Sequence, residues 1–131
     1  MSEPAPVLLL LADLPVAEAG VAFAAQLAAD EGRQLVVVAT TEPRTHLPGD
    51  PSGFHMDDVV LQAAGHGAWC TPVLLRTLSP VRVLEKAVQT LEPAVAIVAQ
   101  PMCRGGRRLA RKLAARLAHQ PVLVWHHSAA G

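Results

Sequence analysis

The sequence predicts an α/β fold in which a doubly wound, five-stranded parallel sheet is covered by helices on both faces. Short continuous apolar runs recur along the chain, and such runs are typical of strands that are buried on both faces. Stretches with helical periodicity lie between these runs. The composition, 51% hydrophobic and 17% charged over 131 residues, favours one folded domain covering residues 1–131 over a disordered chain.

The predicted strands and helices alternate along the chain, beginning with a β-α-β unit. The predicted strands are residues 7–12, 35–39, 72–78 (around the apolar residues 73–75), 95–99 and 121–125. The predicted helices are residues 16–31, 56–64, 80–91 and 107–119. Residues 41–55, which are rich in Pro, Gly and Asp, indicate a loop.

Particular residues mark where the helices begin and end. Gly32 suits a left-handed cap after the first helix, and Gly65 and Gly67 stand where the second helix should end. Ser79 is a typical N-cap residue, and Pro80 suits the first helical position. Apolar residues at helical spacing predict which faces are buried: Phe23, Ala24, Leu27 and Ala28 in the first helix, Val81, Leu84, Ala87, Val88 and Leu91 in the third, and Leu109, Leu113 and Leu117 in the fourth.

This order of elements resembles the universal stress protein domain over nearly the whole chain. Residues 11–13 (Leu-Ala-Asp) resemble the family's first strand, which ends in an aspartate, and residues 38–43 resemble its second strand and exit. Residues 79–99 and 121–125 resemble its third helix, fourth strand and closing strand. The resemblance implies the strand order 3-2-1-4-5 and a regulatory, stress-response module. It also implies ATP or another adenine nucleotide as ligand, bound where the first and fourth strands diverge.

Carried onto this chain, the family's pocket implies seven ligand-contacting residues. They are Asp13, Ala39, Gln100, Arg104, Gly105, Gly106 and Arg107. Asp13 has a second interpretation, as the N-cap acid of the first helix.

The loop after the fourth strand departs from the family pattern. ATP-binding members of the family carry Gly-x2-Gly-x9-Gly-Ser/Thr at this place. Here nine residues separate Gly105 from Ala115, and nine separate Gly106 from Arg116. Ala115 and Arg116 therefore stand where Gly-Ser or Gly-Thr would be expected. We therefore expect the nucleotide site to be altered or lost.

The fourth helix and the loop before it are rich in arginine. They hold six of the eleven Lys and Arg residues: Arg104, Arg107, Arg108, Arg111, Lys112 and Arg116. Like charges four residues apart destabilise a helix, and cations in the first turn oppose its dipole. An anion would relieve both costs, so a phosphate ligand or an acidic protein partner is one interpretation. The other is a solvated face that keeps a neutral protein soluble.

No catalytic or metal-binding residue is predicted. The chain lacks Gly-x4-Gly-Lys-Ser/Thr, GxGxxG and GxSxG motifs, so a nucleotide hydrolase has no supporting signature. The six histidines form no HxH or HxxxH pair, and His126 and His127 would point to opposite faces of a strand. Cys70 is expected in the core, and Cys103 is interpreted as an ordinary loop residue with a redox thiol as the alternative.

Charge and cysteine content predict the setting and the partners. Net charge is zero and the pI is near 7.0, so neither nucleic acid nor an anionic membrane is expected as partner. Two cysteines without a CxxC motif and an N-terminus without basic residues favour a cytoplasmic protein. A homodimer is expected through the apolar edge strand at residues 121–125, which is a ready surface for pairing.

Overall fold

The computed structural model describes residues 4–12, 18–41, 56–100 and 105–125. The elements in chain order are β1 (Val7–Leu11), α1 (Glu18–Asp30), β2 (Leu35–Thr41), α2 (Met56–Gly65), β3 (Cys70–Arg76), α3 (Pro80–Leu91), β4 (Val95–Ala99), α4 (Gly106–Arg116) and β5 (Val122–Trp125). The predicted loop at 41–55 begins one residue later, since Thr41 ends β2. The rest of that loop, and the predictions made for Asp13, Cys103, Arg104, His126 and His127, lie outside the described residues.

The sheet confirms the predicted α/β class and the strand order. Five parallel strands lie in the order β3-β2-β1-β4-β5. β1 is central, and Leu9 is paired with Val37 of β2 and with Ile97 of β4. β1 and β4 are runs of Leu, Val, Ile and Ala, and β2 is such a run until its last two residues, both threonine, because a strand with helices on both sides has no solvent face.

Alternate residues of the strands feed two separate cores on the two faces of the sheet. On one face, Leu9 and Ile97 pack among residues of α1 and α2 such as Ala24 and Val59. On the other face, Leu8 packs among residues of α3 and α4. The sheet is therefore doubly wound, and both α1/α2 and α3/α4 are amphipathic layers over it.

Two glycines end helices as the sequence predicts. Gly32 has φ +64°, and the N–H of Arg33 donates to the carbonyl of Ala28 at 2.8 Å, which is a Schellman cap. Gly67 repeats the arrangement after α2 with φ +82°. Ser79 differs from the prediction. It precedes Pro80 at the start of α3, but its hydroxyl forms no capping bond, and its own N–H donates to Thr77 Oγ1 at 2.9 Å.

Several predicted boundaries and one predicted face differ from the structure. β3 begins at Cys70 because it pairs with β2 along all seven residues of that strand. α4 ends at Arg116 instead of residue 119, because the backbone of Leu117 leaves the helical conformation, with φ −103° and ψ 20°. Phe23 was predicted on the buried face of α1, yet it is 43% exposed, because Val21, Ala24, Ala25 and Ala28 form that face.

In the part of the chain that the structure describes, every helix is too short or too polar to cross a membrane.

Candidate functional site

The carboxyl ends of β1 and β4 form the switch point of the sheet. β1 lies between β2 and β4 in the sheet. β1 is followed by α1 on one face of the sheet, whereas β4 is followed by α4 on the other face. A crevice at this position is where doubly wound sheets bind ligands. Of the predicted site residues, Gln100 directly follows β4, and Ala39 lies within β2, paired with Leu11 at the end of β1.

The backbone is held firmly on both sides of this crevice. Thr40 is buried, and its hydroxyl donates to the carbonyl of Ala12 at 2.8 Å, which ties the exit of β2 to the exit of β1. The N–H of Gln100 donates to the carbonyl of Trp125 at 3.0 Å, which ties the exit of β4 to β5. Sequence reasoning missed Thr40, although a threonine ending an otherwise aliphatic strand was a signal for it.

Ala39 contributes backbone and not side chain to this edge. Its side chain is fully buried in the α1/α2 core. Gln100 is half-buried, and it interacts with other parts of the protein. The other two predicted contacts near these ends, Asp13 and Arg104, lie outside the described residues.

α4 starts on the same edge with a turn that requires glycine. Gly105 has φ +85°, a left-handed conformation, although a Cβ at this position would meet open space. Backbone conformation, and not crowding, therefore favours glycine here. The first helical bond runs from the N–H of Leu109 to the carbonyl of Gly105 at 3.0 Å. The N–H groups of Gly106, Arg107 and Arg108 precede it and have no partner within α4, and such groups are a common place for an anion to bind.

Three arginines surround this helix start. Arg107, Arg108 and Arg111, with Gly105, line an open depression of about 500 Å³. All three side chains are exposed, and none forms an ion pair with another described residue. Guanidinium groups beside the backbone N–H groups of a helix N-terminus suit a phosphate, because both donate hydrogen bonds to its oxygens. The structure thus brings together Gly105, Gly106 and Arg107 of the predicted set and adds Arg108 and Arg111.

A second groove lies between the start of α3 and the middle of α4. It has a volume of about 350 Å³. Its lining combines aliphatic and cationic side chains: Leu78, Val81, Leu109, Arg82, Lys112 and Arg116. Arg116 is partly neutralised, since its Nε lies 2.7 Å from Oε2 of Glu85. Sequence reasoning placed Lys112 and Arg116 in a basic stripe but missed Arg82 and Leu78, which reach the groove only through the packing of α3 on α4.

Charge is divided between the two faces of the sheet. α3 and α4 together contain seven Lys and Arg residues and one acid, Glu85. α1 and α2 contain four acids and no Lys or Arg. Although the net charge of the sequence is zero, the α3/α4 layer is basic and the α1/α2 layer is acidic.

The remaining candidate groups offer little chemistry. Cys70 packs against the α1/α2 core, as predicted, and burial raises the pKa of its thiol. A thiol with a raised pKa is a poor nucleophile at neutral pH. Among the described residues, no three His, Cys, Asp or Glu side chains are grouped so that they could hold a metal ion.

The sheet order defines a doubly wound α/β domain, and comparison with solved structures identifies the fold more closely. A universal stress protein in complex with cAMP superposes with a TM-score of 0.70 at 18% identity, covering 96% of this chain and all of that one (100%). A protein of that family from Burkholderia pseudomallei gives 0.65 at 20% identity, covering 92% and 96%. One from Arabidopsis thaliana with AMP bound gives 0.63 at 12% identity, covering 95% and 93%.

The chain therefore has the universal stress protein fold, as the order of elements predicts. No protein-family model matches the sequence, and no curated protein matches it. The similarity to these solved structures is one of fold, since the sequence identities are only 20%, 18% and 12%.

Proposed function

We propose that this protein is a divergent universal stress protein-like regulatory module that binds a phosphate-bearing ligand of the adenine nucleotide class. The ligand lies at the carboxyl ends of β1 and β4, and its phosphates rest on the first turn of α4. The protein acts by binding, and no described residue is assigned a catalytic role.

The start of α4 is the observation that carries this proposal. Gly105 turns the chain into α4, whose first backbone N–H groups have no partner within the helix and lie beside Arg107, Arg108 and Arg111. The dipole of α4 favours an anion at this end, whereas the three arginines are unfavourable there without one. A bound phosphate turns that cost into attraction, which is a reason for arginines to stand where a solvated helix would prefer acids.

The ligand class is supported by the relatives in fold. One universal stress protein of this fold was solved with cAMP and another with AMP. The glycine pattern of ATP-binding members is incomplete here, since Ala115 and Arg116 occupy the places of the last glycine and hydroxyl residue. Arginine side chains take over part of the anion binding that backbone and hydroxyl groups provide in those members. A ligand with fewer phosphates than ATP fits this reduced cradle better.

Isothermal titration calorimetry with ATP, ADP, AMP and cAMP tests the proposal. We expect micromolar to millimolar affinity for at least one nucleotide, weakened by salt because charged contacts are screened. R107A/R108A should reduce that affinity by about tenfold or more, since each charge-assisted hydrogen bond contributes about 1.5–3 kcal/mol. Arg76→Ala removes an exposed arginine of β3 and should leave binding unchanged. Flat titrations with all four nucleotides at millimolar concentration would overturn nucleotide binding.

The groove between α3 and α4 favours a second candidate function, a protein-interaction module that does not depend on nucleotide. Lys112 and Arg82 are exposed beside aliphatic residues, a combination that suits an acidic protein surface. Charge reversal of Arg108, Lys112 and Arg116 to Glu should abolish partner capture in a pull-down. Unchanged capture of every partner would contradict this candidate.

A further inference from the structure

The groove between α3 and α4 is lined by one strongly exposed leucine and by cationic side chains without an ion-pair partner among the described residues. Leu78 is 70% exposed at one side of the groove. Arg82 and Lys112 line it and form no ion pair with any described residue. Exposure of the leucine to water is unfavourable, and the cations lack counter-charges. A partner that carries both an apolar side chain and carboxylates is therefore complementary to this surface.

α2 carries the complementary set of side chains on the opposite face of the sheet. Asp57 and Asp58 are exposed in its first turn, and Leu61 is 71% exposed. Residues three and four apart share one side of a helix, so Leu61 stands beside both aspartates. The two carboxylates form no ion pair with any described residue. α2 thus presents two acids and one leucine to solvent as a single patch.

We propose that the first two turns of α2 bind in the α3/α4 groove of a second copy of this chain. Asp57 and Asp58 meet Arg82 and Lys112, while Leu61 packs against Leu78. The inference rests on the second candidate function, the interaction module, and names its partner. It does not depend on nucleotide binding, because the groove shares none of the residues that line the depression at the start of α4.

The chemistry of the groove favours a protein occupant over a nucleic acid. Single-stranded nucleic acids are held by aromatic side chains on which the bases stack, and α3 and α4 contain no aromatic residue. An exposed leucine contributes nothing to a phosphate backbone but can be buried against an apolar side chain. The acidic layer of the same molecule supplies both the charge and the leucine, and the neutral net charge allows copies to approach one another.

The contact is small, so association should be weak and sensitive to salt. One groove and two helical turns fall below the roughly 1,200 Å² of buried surface usual in stable complexes. Sedimentation velocity at about 10 μM to 1 mM protein and low ionic strength should show concentration-dependent growth in mass. About 0.5 M NaCl should reverse it, because the screening length falls well below 10 Å.

Exchange of charges between the two surfaces is the decisive experiment. R82E/K112E has an acidic groove and an acidic α2, whereas D57K/D58K has a basic groove and a basic α2. Each variant alone should lose self-association by about tenfold or more. An equimolar mixture of the two should regain it, because every acidic patch then meets a basic one. Leu61→Ser should weaken association without changing net charge.

The matched control is D30K/E31K, which changes net charge as D57K/D58K does but at the exposed end of α1. It should associate like the parent protein, and circular dichroism should show that all variants are folded. A parent protein without growth in mass at 1 mM and low salt, or a variant mixture without recovery, would overturn self-association. If an acidic partner were then still captured through Arg108, Lys112 and Arg116, the interaction module would stand with a different partner.

Discussion

Gly32 shows how a single residue ends α1. Its φ of +64° allows the N–H groups of Gly32 and Arg33 to reach the carbonyls of Ala29 and Ala28, so the last turn of the helix is closed. Gly67 does the same for α2. An L-amino acid with a Cβ adopts this conformation at a cost of roughly 1 kcal/mol or more.

Replacement of Gly32 by alanine should therefore destabilise the protein, even though a Cβ there would meet open space. We expect the free energy of unfolding to fall by about 1 kcal/mol in urea denaturation. Gly65 is the control, since it lies in the last turn of α2 with ordinary helical backbone and equally open space. Gly65→Ala should raise stability by up to about 1 kcal/mol, because alanine is the better helix former. Equal effects of the two substitutions would contradict the role of backbone conformation.

Glu92 is the one described non-glycine residue with positive φ, at +44°. It ends α3 with its N–H donating to the carbonyl of Val88 at 3.0 Å, directly before Pro93, which cannot continue a helix hydrogen-bond pattern. The sequence carries no signal for a left-handed glutamate. A left-handed non-glycine residue carries a local backbone cost of order 1–3 kcal/mol.

At the scale of elements, sequence periodicity predicted the buried strands best. β4 was predicted over the residues that form it, because a strand in the middle of a doubly wound sheet is apolar throughout. β3 was predicted less well, since all seven positions of this edge strand, Pro72 included, are half-exposed or exposed and the continuous apolar pattern is missing. α4 was predicted too long, because the polar residues after Leu117 are compatible with a helix until Leu117 turns the chain toward β5.

The candidate site was predictable only where its residues are adjacent in sequence. Gly105, Gly106 and Arg107 could be found from the glycines and arginines after β4. Arg82 and Leu78 reach the groove beside α4 from a different element, so their role depends on how α3 packs on α4. Sequence periodicity contains no information on that packing.

The packing of α1 against the end of β5 depends on one small residue. A Cβ added at Gly20 would lie 3.0 Å from Cε3 of Trp125, a distance shorter than ordinary contact. The indole ring thus covers the backbone of α1, and Trp125 is joined to the α1/α2 core although it belongs to the opposite edge of the sheet.

Gly20→Ala should lower the free energy of unfolding by roughly 1 kcal/mol. The overpacking cost of about 1–3 kcal/mol exceeds the gain in helix propensity of about 1 kcal/mol. In a Trp69→Phe background, Trp125 is the remaining one of the two tryptophans, and its fluorescence should shift to longer wavelength as the ring is displaced. In a Trp125→Leu background the same substitution should become stabilising, which circular dichroism can follow. A stabilising Gly20→Ala in the parent protein would contradict this contact.

At the scale of the whole molecule, the two edges of the sheet are protected differently. The N–H of Leu35 donates to the carbonyl of Trp69, so alternate residues of β3 face β2 and the backbone of Pro72 faces outward. Proline removes a donor from that edge and blunts it. On the other edge, the carbonyls of Pro121 and Trp125 face β4, so the N–H groups of Val122 and Val124 face outward.

Among the described residues, the edge of β5 thus keeps outward N–H groups that suit a partner strand, and we predict a homodimer that pairs there. Leu123 is 44% exposed along this edge and would be covered in the dimer. Val124→Pro removes an outward N–H and spares every bond between β4 and β5, so it should convert the dimer to a monomer in light scattering at micromolar concentration. Leu123→Pro removes an N–H that faces β4 and should instead lower stability, which separates pairing between copies from pairing within the sheet. Salt should leave this dimer intact, since backbone hydrogen bonds and apolar contacts are not screened, whereas the association through α2 should be lost. A parent protein that is monomeric at micromolar concentration would contradict pairing at β5.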